Sequence, residues 1–294
     1  MQVRQLEYVV AAVEEGSFTA AAHRCHVAQP SLSSSIASLE RELGTPLFHR
    51  IGRTIRPTAA CEDLLPRARD VLRSMAAVSV ANHGARTEVT GRIDLGVQPT
   101  LAATVGVSLV AALRERHAGI TVRMIGATEH ESVADLVASG RCELGVGERS
   151  THRDLRWRGF AGEAFVLALP PRTHAPEPPL PVLRSVPVVA PPVGTPTRRA
   201  LDELCAQAHI RPDIVVEAEP RDALLPLVAA GVGAAVLPTS SIPTTLPPGV
   251  TVVELAGRRR TIGLLRRNAP LTPAADALWT LRDPDGCDAA IRTP

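Results

Sequence analysis

The first 44 residues are punctuated so closely that few folds remain open to them. Gly16 ends one apolar-periodic run, Ser17 opens the next, Pro30 stands in the first turn of a third, and Gly44 ends it. Between 3 and 15 the residues Leu6, Val9, Val10 and Val13 recur at intervals of three and four, which is one face of a helix. Ser17 is an N-cap residue for a short Ala-rich helix over 18–24. A third helix fits 30–43, with Leu32, Ile36, Leu39 and Leu43 on one side. Three short helices at this spacing predict a helix-turn-helix. The stretch 45–57, TPLFHRIGRTIRP, carries Pro near each end and Gly52 at its centre, the pattern of a small hairpin or wing.

The following segment, 58–86, has helical periodicity. Cys61, Leu64, Ala68, Val71, Met75 and Val78 step by three and four, a heptad seam that can pair two helices, with Leu64, Val71 and Met75 at its centre. Pro66 is expected to interrupt it, and a connector helix lying on its own domain satisfies the same pattern. From residue 91 onward strand-like and helical runs alternate. RIDLGV, ITVRMI and ELGV read as buried strands separated by helices over 101–117 and 131–139, a βαβαβ layout with a parallel sheet. The chain crosses over near 158–170, and a Pro-rich connector covers 170–196. A second α/β unit follows, with strands at 186–190, 213–217 and 234–237. A last strand and helix, 262–267 and 272–282, are expected to return to the first sheet.

The fold class expected is therefore multidomain α and α/β: an N-terminal winged helix-turn-helix over 1–58, a linker or dimerisation helix over 59–90, and a two-lobed α/β domain over 91–294, lobe I spanning about 91–161 and 267–294 and lobe II about 162–266.

At 294 residues with 45% hydrophobic and 21% charged residues, the chain can support packed cores, and wholesale disorder is excluded. Its five cysteines are scattered singly, which reads as reduced thiols rather than a disulfide framework. Cys205 reads as a packed thiol, since no other cysteine lies near it in the chain. Three acids among the first fifteen residues argue against a signal peptide. Prolines and glycines break the longest uncharged run, which argues against a membrane span. A cytoplasmic location is expected.

Thirty-two arginines, with no lysine, balance thirty acids to a net charge of +2, too even for binding by bulk charge. The distribution is uneven, however. Between Gly16 and Cys61 five arginines face two glutamates, a local +3. Gln29, Pro30, Ser31, Ser33 and Ser34 open the third helix with short polar side chains suited to a major groove, Gln29 being able to fork to adenine. Arg50, Arg53 and Arg56 in the wing are placed to follow phosphates or enter a narrow minor groove.

The same segment resembles the winged helix-turn-helix of LysR-type transcriptional regulators. The likeness is carried by Phe18 to Ala22, by Val27 to Ser33, by Ile36, Leu39–Glu40 and Leu43–Gly44, by Pro46–Leu47–Phe48 and Arg50, and by Pro57 to Ala60. The run VAAGVGAAVLP at 228–238 resembles part of that family's effector-binding half. The resemblance implies that 91–294 is a periplasmic-binding-protein-like effector-binding domain, and that the chain is a regulator that binds double-stranded promoter DNA as a homodimer or homotetramer and responds to a small-molecule effector held between two lobes. By the same resemblance Thr100, Leu101, Thr128, Thr195, Thr197 and Arg198 are candidate effector contacts. Helix starts there attract anions, so a carboxylate is the first candidate.

The alternative is a cytosolic enzyme with a DNA-binding-like interaction module. Gly145–Val146–Gly147 lacks the third glycine of a dinucleotide loop and reads as a tight strand end. No HExxH, GxSxG or P-loop pattern occurs. No catalytic residue, metal site or cofactor is expected.

Overall fold

The computed structural model describes residues 1–51, 54–81, 89–128 and 131–281. The N-terminal head consists of α1 (Val3–Glu15), α2 (Phe18–Arg24) and α3 (Gln29–Leu43), followed by the antiparallel pair β1 (Phe48–Ile51) and β2 (Thr54–Pro57) and the long α4 (Ala59–Ala81). Its core is the sum of the apolar faces read above. Leu6, Val9 and Ala12 of α1 meet Ala21 and Ala22 of α2 and Leu32, Ile36 and Leu39 of α3, all nearly or fully excluded from solvent. Gly16 and Gly44 close α1 and α3 in the left-handed conformation, and the Ser17 hydroxyl accepts the Ala20 N–H at 3.1 Å. The wing is tied down by the Glu40 carboxylate, which accepts the Leu47 N–H at 2.7 Å, and by the Ile55 N–H, which donates to the Gly16 carbonyl at 3.2 Å.

Helix α4 does not break at Pro66 as expected but runs through it. Cys61, Leu65 and Ala68 on either side are buried against the head, and that burial outweighs the backbone bond the proline removes.

The remainder is built on β3 (Gly91–Val97), α5 (Pro99–Leu101), a π turn (Ala102–Gly106), α6 (Val107–Arg116), β4 (Ile120–Gly126), α7 (Val133–Ala138) and β5 (Leu144–Glu148). Next come β6 (Leu155–Leu169), β7 (Val188–Ala190), α8 (Pro196–Gln207), β8 (Ile214–Glu217), α9 (Leu224–Ala229), β9 (Ala235–Pro238), β10 (Thr251–Arg267) and α10 (Pro273–Thr280). Six strands form one sheet in the order β4-β3-β5-β10-β6-β9. The parallel trio β4-β3-β5 continues into antiparallel β10 and β6. A second parallel pair, β7 and β8, joins through a bridge between Val188 and Ala234, next to β9, which itself pairs antiparallel with β6. Counting that parallel bridge, β8-β7-β9 makes a second trio, and each trio is completed by the same two long strands.

Strand β10 begins well before the expected 262–267. The polar run AGRRR at 256–260 resembles a turn, but Arg259 and Arg260 stay in register with Ala164 and Glu163 across a bulge, so the strand continues. Gly145–Val146–Gly147 is likewise not a strand end but the middle of β5. A Cβ on Gly145 would lie 2.5 Å from Val133 Cγ1 and 2.9 Å from Val137 Cγ2, so glycine here is what lets α7 lie against the sheet. Gly145→Ala is expected to destabilise the fold by about 1–3 kcal/mol through overpacking, read as a lower urea midpoint at unchanged slope. An unchanged midpoint would show that α7 can move away at little cost.

Candidate functional site

On the head, the face of α3 opposite its buried stripe presents Gln29, Pro30, Ser31 and Ser34 to solvent, while Ser33 is half-buried. Ala28 at the N-cap offers no side-chain acceptor to the first turn. The lone-pair-bearing side chains and first-turn backbone therefore sit on one exposed end of the helix. Arg56 on β2 is exposed and forms no ion pair among the described residues. The Arg50 side chain and all of Arg53 lie outside the described residues. Arg24, by contrast, is held by Glu14 at 2.8 Å and Glu15 at 3.2 Å.

The candidate effector residues separate into groups that the sequence does not distinguish. Thr100 lies where β6 and β10 pass between the lobes, and its hydroxyl accepts from Arg260 Nη2 at 3.3 Å. Its carbonyl accepts from the Ser240 hydroxyl at 3.2 Å, a contact from one lobe to the other. Leu101 is fully buried in the core with Ile93, Leu95, Val97 and Val105, so its side chain packs rather than lines a cleft. Thr128 is exposed, and its backbone N–H donates to Glu131 at 3.0 Å. Thr195 caps α8: its hydroxyl accepts the Arg198 N–H at 3.3 Å and donates to the Pro192 carbonyl at 2.9 Å. Thr197 is buried at 3% exposure. Arg198 is neutralised by Asp202 at 3.0 Å and Glu217 at 3.2 Å.

The polar centre of the interlobe region is a cluster absent from the sequence reading. Arg260 on β10, with 5% of its side chain exposed, donates from Nε to Glu163 Oε2 at 2.5 Å and from Nη1 to Glu148 Oε1 at 3.0 Å. Its guanidinium lies 5.7 Å from the Phe165 ring centroid. Glu163 on β6 has no exposed side-chain surface, and its other oxygen accepts the Ser240 N–H at 2.7 Å. Glu148, at the end of β5, is 31% exposed. Glu163 stands alone as a charge in the apolar run FAGEAFVLAL, and that isolation is the signal from which a buried pair could have been read; Arg260, third of three consecutive arginines, carries no such signal.

Seven residues further along β10, Arg267 forks onto Asp70 of α4, with Nη1 to Oδ2 at 2.7 Å and Nη2 to Oδ1, and Nη1 also donates to the Pro66 carbonyl at 3.2 Å. Arg73 donates to the Gly140 carbonyl at 2.7 Å and to Asp70 at 2.6 Å. Arg69, 8% exposed, donates to the Ser139 carbonyl at 2.7 Å and pairs with Glu14 of α1 at 3.2 Å. Burial lowers the Arg69 pKa, and Glu14 works against that shift. The linker helix is thus joined to α1 on one side and to the end of α7 and of β10 on the other.

Of the seam positions on α4, Leu64 is half-buried against the head, whereas Val71, Met75 and Val78 are 40%, 49% and 64% exposed. Cys205 is buried with its pKa raised by desolvation, and burial pushes Cys61 and Cys142 up to about 12, so these thiols have little thiolate character near neutrality. Among the described residues no His, Cys, Asp and Glu group could hold a metal, and no helix is long and apolar enough to cross a membrane.

Residues 3–62 match the bacterial regulatory helix-turn-helix protein, lysR family, and residues 86–282 match the LysR substrate binding domain. The chain is 30% identical to the HTH-type transcriptional regulator IlvR of Caulobacter vibrioides, covering 97% of this chain and 99% of that one. It is 31% identical to the regulator TfdS of Cupriavidus pinatubonensis over 87% of this chain and 88% of the relative. Among solved structures it is similar to full-length CbnR complexed with target DNA, at 25% identity and TM-score 0.63, covering 95% of this chain and 97% of that one. A full-length OxyR from Pseudomonas aeruginosa shares the fold at 21% identity and TM-score 0.72, covering 99% and 98%. The curated relatives are named as transcriptional regulators, and the likeness covers 87–99% of this chain rather than a DNA-binding-like module alone. The family models cover both the head and the following half, and the chain belongs to the LysR family of DNA-binding transcriptional regulators.

Proposed function

We propose that this regulator reads promoter DNA with the start of α3 and the wing, and that its effector acts on the Arg260 cluster. The single observation that carries the reading is β10 itself, one strand with Arg260 between the lobes and Arg267 on the linker helix. Gln29, Pro30, Ser31, Ser33 and Ser34 are proposed to face base edges and the adjoining phosphates, and Arg50, Arg53 and Arg56 the backbone or minor groove. CbnR, whose solved complex contains its target DNA, supports this docking by similarity. Two outcomes are expected in salt-dependent binding assays. Arg56→Ala weakens binding to every duplex and flattens the salt slope by about 1. Gln29→Ala costs about 1–3 kcal/mol on the preferred operator and relaxes one base position. Unchanged affinity in both variants would place the DNA elsewhere.

The effector is proposed to be a small organic carboxylate that takes Glu148's place on Arg260. Glu148 is the exposed partner and is cheap to displace; Glu163 is fully buried and also held by Ser240, so removing it would strand a buried charge. A change of position along β10 is then felt by Asp70 through Arg267, and by the head through Arg69 and Glu14. In a thermal-shift screen of small mono- and dicarboxylates, Glu148→Gln should bind the stabilising acid more tightly than the parent, and Arg260→Gln should lose the response. Stabilisation by neutral or cationic compounds alone would overturn the carboxylate assignment.

The chain is proposed to act as at least a homodimer, paired along α4 through Val71 and Met75 with Leu64 at the base of the seam, so that two heads meet two half-sites. Val71→Glu with Met75→Glu should shift the sedimenting species towards monomer and weaken operator binding at low protein concentration. A doubly substituted chain that sediments like the parent would remove α4 from the interface.

A further inference from the structure

A second polar region lies on lobe I, away from the Arg260 cluster, where the segment between β5 and β6 descends along the sheet. It borders an open cavity of about 790 Å³ lined by Arg149, Ser150, Thr151, His152, Arg153 and Trp157. Two arginines, a histidine and two hydroxyls converge there. Neither Arg149 nor Arg153 forms an ion pair among the described residues.

The floor of this cavity is built rather than incidental. Gly159 and Gly263 are direct partners across the β6–β10 ladder. A Cβ on Gly159 would lie 2.5 Å from Trp157 Cη2, and one on Gly263 2.8 Å from Trp157 Cε2. The paired glycines therefore leave room for the indole to lie against the strands. Above it, the Arg149 guanidinium sits 5.9 Å from the ring centroid. A guanidinium held on an aromatic face keeps its planar N–H edge free to fork onto an oxyanion, with less ordering to be done on binding. The Trp157 Nε1–H is shielded from solvent and has no acceptor in the structure. On α7 Asp135 accepts from the Ser132 hydroxyl and N–H, and neither it nor Asp154, the residue after Arg153, pairs with Arg149 or Arg153 among the described residues.

We propose that this cavity is a second ligand site, selective for a small organic anion bearing a phosphate or several carboxylates, with Arg149 and Arg153 as its charged contacts and Trp157 as its platform. The site is separate from the interlobe cluster. Its ligand would press on the side of lobe I whose α7 end meets the linker helix through Ser139 and Gly140.

The test uses the full chain carrying Trp279→Phe, which leaves Trp157 as the one tryptophan, since the sequence has two. Pyrophosphate and citrate are titrated at constant ionic strength against a chloride control, with calorimetry on the unsubstituted chain as a second measurement. At least one of the two anions should give a saturable change in Trp157 emission with Kd at or below about 1 mM. Binding should weaken about tenfold in Arg149→Gln and in Arg153→Gln, the loss of one charge-assisted contact. Arg211→Gln, at an exposed arginine outside both sites, should titrate like the parent. Response to pyrophosphate alone identifies a phosphate ligand, to citrate alone a polycarboxylate, and to both a site for either. No saturation beyond the chloride control, an unchanged affinity in both arginine variants, or loss of the signal in Arg211→Gln would overturn the proposal.

Discussion

The antiparallel ladder between β6 and β10 is the constraint on which the two-lobed half depends. It runs from Thr251 paired with Leu169 to Arg267 paired with Leu155, so both parallel trios of strands are anchored to the same two segments of chain. Arg260 and Glu163 lie opposite each other in this ladder, both almost fully buried. A buried pair of this kind contributes little net stability, because desolvation of both charges consumes most of their attraction. What it imposes is register. A slip of one residue would turn Arg260 or Glu163 away from its partner and leave an uncompensated charge in the interior, an outcome costly enough to select one alignment of the crossing strands.

The linker helix shows a related use of arginine. Three of its polar side chains, Arg69, Asp70 and Arg73, face the rest of the molecule rather than solvent, and their partners are two carbonyls at the end of α7, Arg267 at the end of β10, and Glu14 of α1. Carbonyl acceptors satisfy a guanidinium without neutralising it, so the net charge of this contact depends on Asp70 and Glu14. Cys61, Leu65 and Ala68 fix the helix to the apolar core of the head, whereas its bonds to the ends of α7 and β10 are directional polar ones. That polar side can be rearranged without opening the core of the head, which is what a regulator needs between its head and its sensing domain.

Much of the head could be read directly. The apolar spacing of Leu6, Val9 and Val10, the cap at Ser17 and the stops at Gly16 and Gly44 are local signals, each acting within one turn of helix, and α1 and α2 begin and end where those signals stand. The α/β alternation was also legible, because buried strands such as RIDLGV are short apolar runs between helical ones. The reading failed where a local signal was outvoted by distant packing. Pro66 did not end α4, AGRRR did not end β10, and Gly145 was neither a strand end nor part of a phosphate loop but clearance for α7. Among the effector candidates, Thr100 alone makes a hydrogen bond to Arg260, while Thr195 caps its own helix and Leu101 packs in the core.

The sequence by itself determined the fold class, the winged head and the family to which the chain belongs, because periodicity, caps and a dense local motif are properties of neighbouring residues. It also determined which side chains of α3 are too polar to be buried and so must face outward. Only the tertiary structure decided which charges meet. Arg260 and Glu163 are 97 residues apart and Arg267 and Asp70 are 197, and nothing in either local environment names the other. A charge in an apolar strand announces that it needs a partner, but the identity of that partner is set by sheet order and register, which are global properties of the folded chain.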